Sequence, residues 1–314
     1  MDSRKPDSRK PNEWLAWAGA EALARTGSIT TVKGVGLSFG SLGEGVLSTL
    51  IIGFVQMVGS ALVARAQSFR IWLGARFFLL CALFGASSTV QTVIPFVAFG
   101  AQADLTLYLF IVVALSIVPG AIIDAFFFGN KFGWRSSLGI ASAIVGGYVM
   151  FGLPSLQELG AMPWWISWAF LAMFLFAANQ GLTKALAGLR SDVPDTVKAV
   201  AQNVTIGAVT LGLCAAALPL VATGAVMSVL VVPAFIIASV VIGLFVVTLI
   251  MANLMAYQRG AASIPIKNVV VTGAFLLLSA LSGYLFFEEA LAAEKFIGIA
   301  LYVVAYFLIG SERK

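Results

Sequence analysis

Long apolar runs alternate with short polar breaks along almost the whole chain. The runs fall at 14–32, 41–63, 77–99, 105–128, 136–153, 164–187, 198–221, 234–257, 264–287 and 295–311. A hydrocarbon core of ~30 Å takes about 20 helical residues to cross, and these runs are of that order. The pattern predicts an all-α membrane protein of about ten transmembrane helices, with no room left for a separate soluble domain. The first run, WLAWAGAEALARTGSITTV, is the exception, because Glu21 and Arg25 lie inside it. By itself it reads equally as a span or as an amphipathic helix lying at the interface.

Composition strengthens the membrane reading. Of 314 residues, 60% are hydrophobic and 11% charged, against roughly 25% charged in a soluble domain. The chain has no histidine, and its two cysteines, Cys81 and Cys214, each sit in an apolar run, where they read as small buried hydrophobes. A metal site, a disulfide framework and histidine acid–base catalysis therefore lack their residues. No GxxxxGK[ST] phosphate loop is present, so a Walker-type nucleotide site is excluded. No cofactor, metal or catalytic residue is expected, and no cleavable signal peptide stands out.

The +5 net charge has a topological explanation. With ten spans, Arg65, Arg70, Arg76, Lys131, Arg135, Arg190, Lys198, Arg259, Lys267, Arg313 and Lys314 share one side. The alternate loops carry Asp104, Glu158, Glu288, Glu289 and Glu294, with Lys33 and Lys295 the only bases. The positive-inside rule makes the basic side cytoplasmic. The tandem DSRKPDSRKP start, residues 2–11, joins that side only if 14–32 crosses the membrane. Residues 1–12 are expected to be a disordered basic tail, and both termini to be cytoplasmic in a bacterial inner membrane. The lipid bilayer is the expected surrounding, nucleic acid is not a partner, and a homodimer is compatible with the chain.

Two internal similarities split the spans. Residues 127–141 align with 286–300 at an offset of 159, matching Phe127-Phe128 to Phe286-Phe287 and Gly139-Ile140-Ala141 to Gly298-Ile299-Ala300. Trp14, Trp17 and Lys33 align with Trp165, Trp168 and Lys184 at an offset of 151. Two five-helix repeats result, 13–153 and 164–311, and five being odd, they are inverted. An aromatic turn followed by a Gly-x-Ala helix, at the end of each five-span half, resembles the drug/metabolite transporter superfamily, in particular its ten-helix EamA-like members. The two turns differ: Phe128-Gly129-Asn130 has no acid, and Phe287-Glu288-Glu289 has no glycine. The resemblance implies a secondary transporter of small metabolites, commonly an exporter of amino acids or related solutes. It also implies that helices 1, 3, 4, 6, 8 and 9 surround a central cavity.

Polar groups at mid-span are costly, at least ~2.5–3.5 kcal/mol for a charge, so those present face a cavity or one another. Glu21 and Arg25, spaced i,i+4, form either a pair beside the cavity or an exposed pair on a surface helix. Asn179 and Gln180 in span 6, Gln91 in span 3, Asn253 in span 8 and Asn268 in span 9 are the further substrate-binding candidates. Interhelical hydrogen bonding is their other reading. Lys184 and Lys267 are read as cytoplasmic-side anchors, and Tyr257 as an interfacial aromatic. Asp124 is either a proton-titrating group, like Glu21, or a salt-bridge partner of Lys131 or Arg135. The acidic turn FFEEALAAEKF, residues 286–296, is read as solvated. The expectation is secondary active or facilitative transport of a small polar, amino-acid-like solute, with export favoured. A channel or non-transporting subunit is the alternative, and a membrane enzyme has the fewest residues to support it.

Overall fold

The structure is a computed structural model that describes residues 13–69, 71–130, 133–150, 163–189, 192–260 and 264–311. The tail 1–12 and the bases Arg70, Lys131, Arg190, Arg313 and Lys314 lie outside the described residues. Among the described residues every regular element is helical, as hydrocarbon requires of a backbone that cannot hydrogen-bond to water. The long helices among the described residues are α1 (Glu13–Ser38), α2 (Leu42–Ala66), α3 (Ala75–Gly100), α4 (Leu105–Phe128), α5 (Trp134–Met150), α6 (Trp165–Gly188), α7 (Asp195–Val221), α8 (Pro233–Gln258), α9 (Ile264–Phe287) and α10 (Ala293–Ser311), with a short helical turn at Gly224–Ser228 between α7 and α8. α4 is interrupted by a π-helical turn at Phe110–Ala114, just before Pro119-Gly120.

Seven of these helices, α2, α3, α4, α6, α7, α8 and α9, are long and apolar enough to cross a bilayer. The chain is an integral membrane protein. α1 runs six residues beyond the apolar stretch seen in the sequence and carries Glu13, Glu21, Arg25 and Lys33. Despite those charges it does not lie along the surface. It packs against α8, α9 and α3, with Glu21 and Lys33 both buried.

The helix pairings have an internal order. α2 packs on α7 and α5 on α10. α1 meets α8, α9 and α3, while α6 meets α3, α4 and α8; α2 meets α8, while α7 meets α3. Adding five to a helix number, and returning to the start after ten, maps α2–α7 and α5–α10 onto themselves and exchanges the other pairings among one another.

Glycine sets the closest approaches. Between α5 and α10 a Cβ on Gly139 would lie 2.9 Å from the Ala305 carbonyl oxygen, and one on Gly298 would lie 2.6 Å from that of Gly146. Gly298 and Ala305 stand 159 residues after Gly139 and Gly146, and the Ser142 hydroxyl donates to the Leu301 carbonyl across the same spacing. Between α2 and α7 a Cβ on Gly207 would meet the Met57 backbone nitrogen at 2.5 Å, and one on Gly53 the Leu211 nitrogen at 3.0 Å. Backbone cannot rotate away as a side chain can, so even a methyl there must part the helices.

Gly207→Ala is therefore expected to destabilise the fold by about 1–3 kcal/mol. Gly212→Ala, one to two turns on and facing open space, is expected to leave stability unchanged or slightly raised. Thermal unfolding of the two purified variants in one detergent checks the contrast.

Candidate functional site

Charged and polar side chains from four helices meet at the centre of the bundle. On α1 the i,i+4 spacing lets Arg25 donate to Glu21 Oε1 through Nε at 3.0 Å and Nη2 at 2.5 Å. The other carboxylate oxygen, Oε2, stands 2.7 Å from Lys267 Nζ, which α9 brings in from the side. Lys267 is fully buried, with Pro265 two residues before it at the start of α9. Its ammonium also donates to Gln180 Oε1 at 3.0 Å and to Asn253 Oδ1, and it lies 4.8 Å from the Tyr257 ring centre. Three N–H groups thus face three oxygens, the full capacity of an ammonium.

That cation also orients the amides. An ammonium only donates, so Gln180 and Asn253 must turn their oxygens to Lys267 and their NH2 groups elsewhere. The Tyr257 hydroxyl adds a second donor to Gln180 Oε1 at 3.2 Å, and Asn253 Nδ2 donates to Thr183 Oγ1 at 3.4 Å. On the α3 side, Asn179 Nδ2 donates to Gln91 Oε1 at 3.0 Å.

These groups border a cavity of about 140 Å³, lined by Arg25, Gln91, Asn179, Gln180 and Asn253 with Phe84, Phe176 and Ile242 among its apolar walls. It continues past Arg25, Gln91 and Phe176 into a second space of about 100 Å³ that reaches Tyr108 and Phe275. The Arg25 guanidinium stacks 4.7 Å from the Phe176 ring centre, which holds its plane against the wall. A larger recess of about 460 Å³ lies between α2, α3, α7 and the exposed Trp164 and Trp168, but its lining is almost wholly apolar. It suits a lipid tail and brings together no acid, base or amide.

Two further ion pairs sit beyond the cavity in opposite directions. Eight residues past Arg25 on α1, Lys33 donates to Glu289 Oε1, and the same oxygen accepts from the backbone N–H of Leu105 at 2.7 Å, at the start of α4. Lys33 Nζ lies 4.8 Å from the Phe287 ring. Four residues past Gln180 on α6, Lys184 donates to Asp124 Oδ1 at 2.5 Å, and Asp124 Oδ2 accepts from the backbone N–H of Ile264 at 3.2 Å, at the start of α9. Lys184 Nζ lies 4.4 Å from the Phe128 ring. Consecutive helices joined by short loops run antiparallel, so the first cluster, at the α1 C-terminus, and the second, at the α6 C-terminus, occupy opposite ends of the bundle. Each joins a lysine from the first helix of one half to a carboxylate from the other half, and that carboxylate caps the helix start nearest it.

Of the residues singled out in the sequence, Arg25, Gln91, Asn179, Gln180 and Asn253 converge on one cavity, and Glu21 backs Arg25. Asn268 is buried on α9 outside the cavity lining, with its Nδ2 unpaired and 3.8 Å from where a Cβ on Gly120 would lie. Asp124 is also outside it and pairs with Lys184 on α6. Lys267 is not an interfacial anchor: the first turn of α9 is inside the bundle, where Glu21 draws the ammonium. Tyr257 is likewise interior, and Lys184 does not reach for the interface because Asp124 is closer. Glu289, read as a solvated turn residue, is one of the two clamp carboxylates, with 9% of its side chain exposed. Repeat similarity was the sequence signal available for Lys33 and Lys184; nothing near Lys267 distinguished it from a loop base.

Together these features define an integral membrane protein of all-helical fold with a charge-paired polar centre. No family model and no curated protein matches the chain. Among solved structures, it is similar to a crystal structure described simply as that of a protein, with a TM-score of 0.63 and 16% identity over 95% of this chain and 96% of the other. At that identity the likeness extends to the fold alone, and it does so end to end.

Lys267→Met leaves Glu21 buried with one partner, Asn253 Oδ1 without its donor and Gln180 Oε1 with Tyr257 alone. A loss of about 3–5 kcal/mol is expected, as for other broken buried pairs. Glu21→Gln combined with Arg25→Gln and Lys267→Gln removes all three linked charges and is expected to restore most of it, read as the thermal midpoint of each variant against the parent.

Proposed function

We propose that this protein is a secondary transporter, active or facilitative, for a small polar metabolite of amino-acid-like kind, working by alternating access of two inverted five-helix halves. The observation that carries the reading is the pair of lysine–carboxylate clamps at opposite ends of the central cavity. Alternating access needs two gates that open in turn around one site. Each clamp joins the two halves, and each lies within about one to two helical turns of the cavity, at 1.5 Å per residue.

Support for the inverted repeat comes from spacing. Leu105 and Ile264, Phe128 and Phe287, and the glycine contacts of α5 and α10 are each separated by 159 residues, and Lys33 and Lys184 by 151. The five-helix shift in the packing partners points the same way. On this reading ten helices span the membrane. Arg65, Arg76, Arg135, Lys198 and Arg259 fall at one end and Glu44, Asp104, Glu288 and Glu294 at the other, which argues for a cytoplasmic basic end with both termini there, in a bacterial inner membrane. The departure from an EamA-like pattern at the two turns is then a redistribution of one carboxylate and one glycine. A channel would be favoured by a ring of like charge along the axis, whereas the charges here are paired across helices.

Reconstituted protein is expected to catalyse counterflow of a small amino-acid-like solute, and absence of any solute movement or binding across such a panel would defeat the proposal. Glu289→Gln and Asp124→Asn should bias the protein in opposite senses. A cysteine at Ser28 in the cavity wall should then gain thiol labelling from the outside of intact vesicles in the first variant and from the inside in the second. Equal labelling in both would remove the clamps as gates. A proton-coupling role for Glu21 or Asp124 belongs to the same proposal: Glu21→Gln or Asp124→Asn should abolish the pH response of counterflow, and an intact response in both would discard it.

A further inference from the structure

We infer that the cavity takes its solute by a carboxylate, docked on Arg25, and that the site is selective for small organic monoanions over their uncharged analogues. The inference rests on the transport reading for its use but on the geometry of the site for its content.

The lining of the cavity contains one charged side chain, Arg25, in both of its connected spaces. Glu21 is not available to a solute cation, because Arg25 holds one carboxylate oxygen and Lys267 the other. Arg25 spends Nε and Nη2 on Glu21, which leaves Nη1 without an acceptor among the described residues on a side chain that lines the cavity. The adjacent Gln180 is fixed with its oxygen toward Lys267 and Tyr257, so it offers the cavity an NH2. A guanidinium edge beside an oriented amide donor is the arrangement a carboxylate fits.

Charge balance leads to the same ligand. The central cluster holds two cations, Arg25 and Lys267, against one acid, Glu21. Lys33 and Lys184 are neutralised by Glu289 and Asp124 within their own clamps and contribute no net charge to the centre. One formal positive charge is therefore left inside the membrane, where an uncompensated charge is costly. A bound monoanion brings the cluster to neutrality; a neutral solute does not, and a dianion overshoots. The size is restrictive as well. A void of about 140 Å³ is close to the ~150 Å³ that accommodates benzene in an apolar protein interior. Phe84, Phe176 and Ile242 offer that volume an apolar wall. A carboxylate on a short apolar body that carries no ammonium group meets both conditions.

The test compares isosteres. Full-length protein in detergent is heated with propanoate or 4-methylpentanoate, and in parallel with propanamide or 4-methylpentanamide, each at millimolar concentration. At least one acid is expected to raise the thermal midpoint saturably, and its amide to bind at least about tenfold more weakly, the loss of one charged contact. Arg25→Gln should abolish the acid–amide difference, and Arg25→Lys should retain part of it. Amides that stabilise as well as their acids, or no acid that stabilises, would overturn the inference, as would an undiminished preference in Arg25→Gln. If Arg25→Gln does not fold, the wild-type comparison decides. Counterflow of the same four compounds separates the two proposals. Acid-selective binding without movement defeats transport and leaves the carboxylate site standing, whereas movement indifferent to the acid defeats only the site.

Discussion

A charge cannot stay alone in hydrocarbon, and the arrangement of this bundle follows from how its few interior charges find partners. Glu21 is the centre of that arrangement, since its two oxygens tie its own helix to itself through Arg25 and to α9 through Lys267. Lys267 in turn draws oxygens from α6 and α8, so that one carboxylate determines the relative placement of four helices. A solvated pair of the same geometry would contribute little, ~0–1 kcal/mol. In the interior the cost of leaving either member unpaired makes the set all-or-none.

Close packing supplies what the ion pairs cannot. Apolar side chains gain little by leaving lipid for one another, so helix association in a bilayer depends on close van der Waals approach. The glycines of α5 and α10 and of α2 and α7 permit that approach, and these pairings involve helices that contribute nothing to the polar cavity lining apart from Ser and Thr contacts behind it. The division of labour is clear: glycine interfaces hold the periphery, and directed polar contacts hold the centre. Gln56 illustrates the boundary, a buried amide on α2 that donates to Asn203 on α7 and leaves no exposed polar edge.

Most of the architecture was legible because hydrophobic run length depends only on local sequence. The Glu21–Arg25 pair was legible for the same reason: an i,i+4 spacing is a local fact. The partners of Lys267, Lys33 and Lys184 were not. They lie 246, 256 and 60 residues away, on helices whose rotation about their own axes no run length specifies. Depth was the other blind spot. A base two residues from Pro265 at the start of a span reads as interfacial, yet the start of α9 is covered by neighbouring helices and sits in the interior. The acidic turn at 286–296 erred in the same direction: Glu288 is exposed, but the next residue folds back over Gly283 toward Lys33.

The two clamps place the same chemistry at residues that do not align. At the 159-residue offset, Asp124 corresponds to Gly283 and Asn130 to Glu289. In one half the backbone N–H of Asn130 donates to the Asp124 carbonyl, and in the other that of Glu289 donates to the Gly283 carbonyl, so the turns are closed alike. The carboxylate has moved from the helix to the turn, and glycine opposite it makes the space: Glu289 Oε2 lies 2.5 Å from where a Cβ on residue 283 would be. The turn itself is strained differently, since the left-handed position is Gly129 at φ 67° in one half and Glu288 at φ 57° in the other. A short acid on a helix is held by its own backbone, whereas a longer acid on a turn must be ordered by its partners, at a larger entropic cost. An inverted repeat with identical halves would treat the two sides of a membrane alike. On the transport reading proposed above, the two ends are closed by carboxylates ordered in different ways, and it is in that difference, more than in the shared fold, that a preference for one face over the other would have a physical basis.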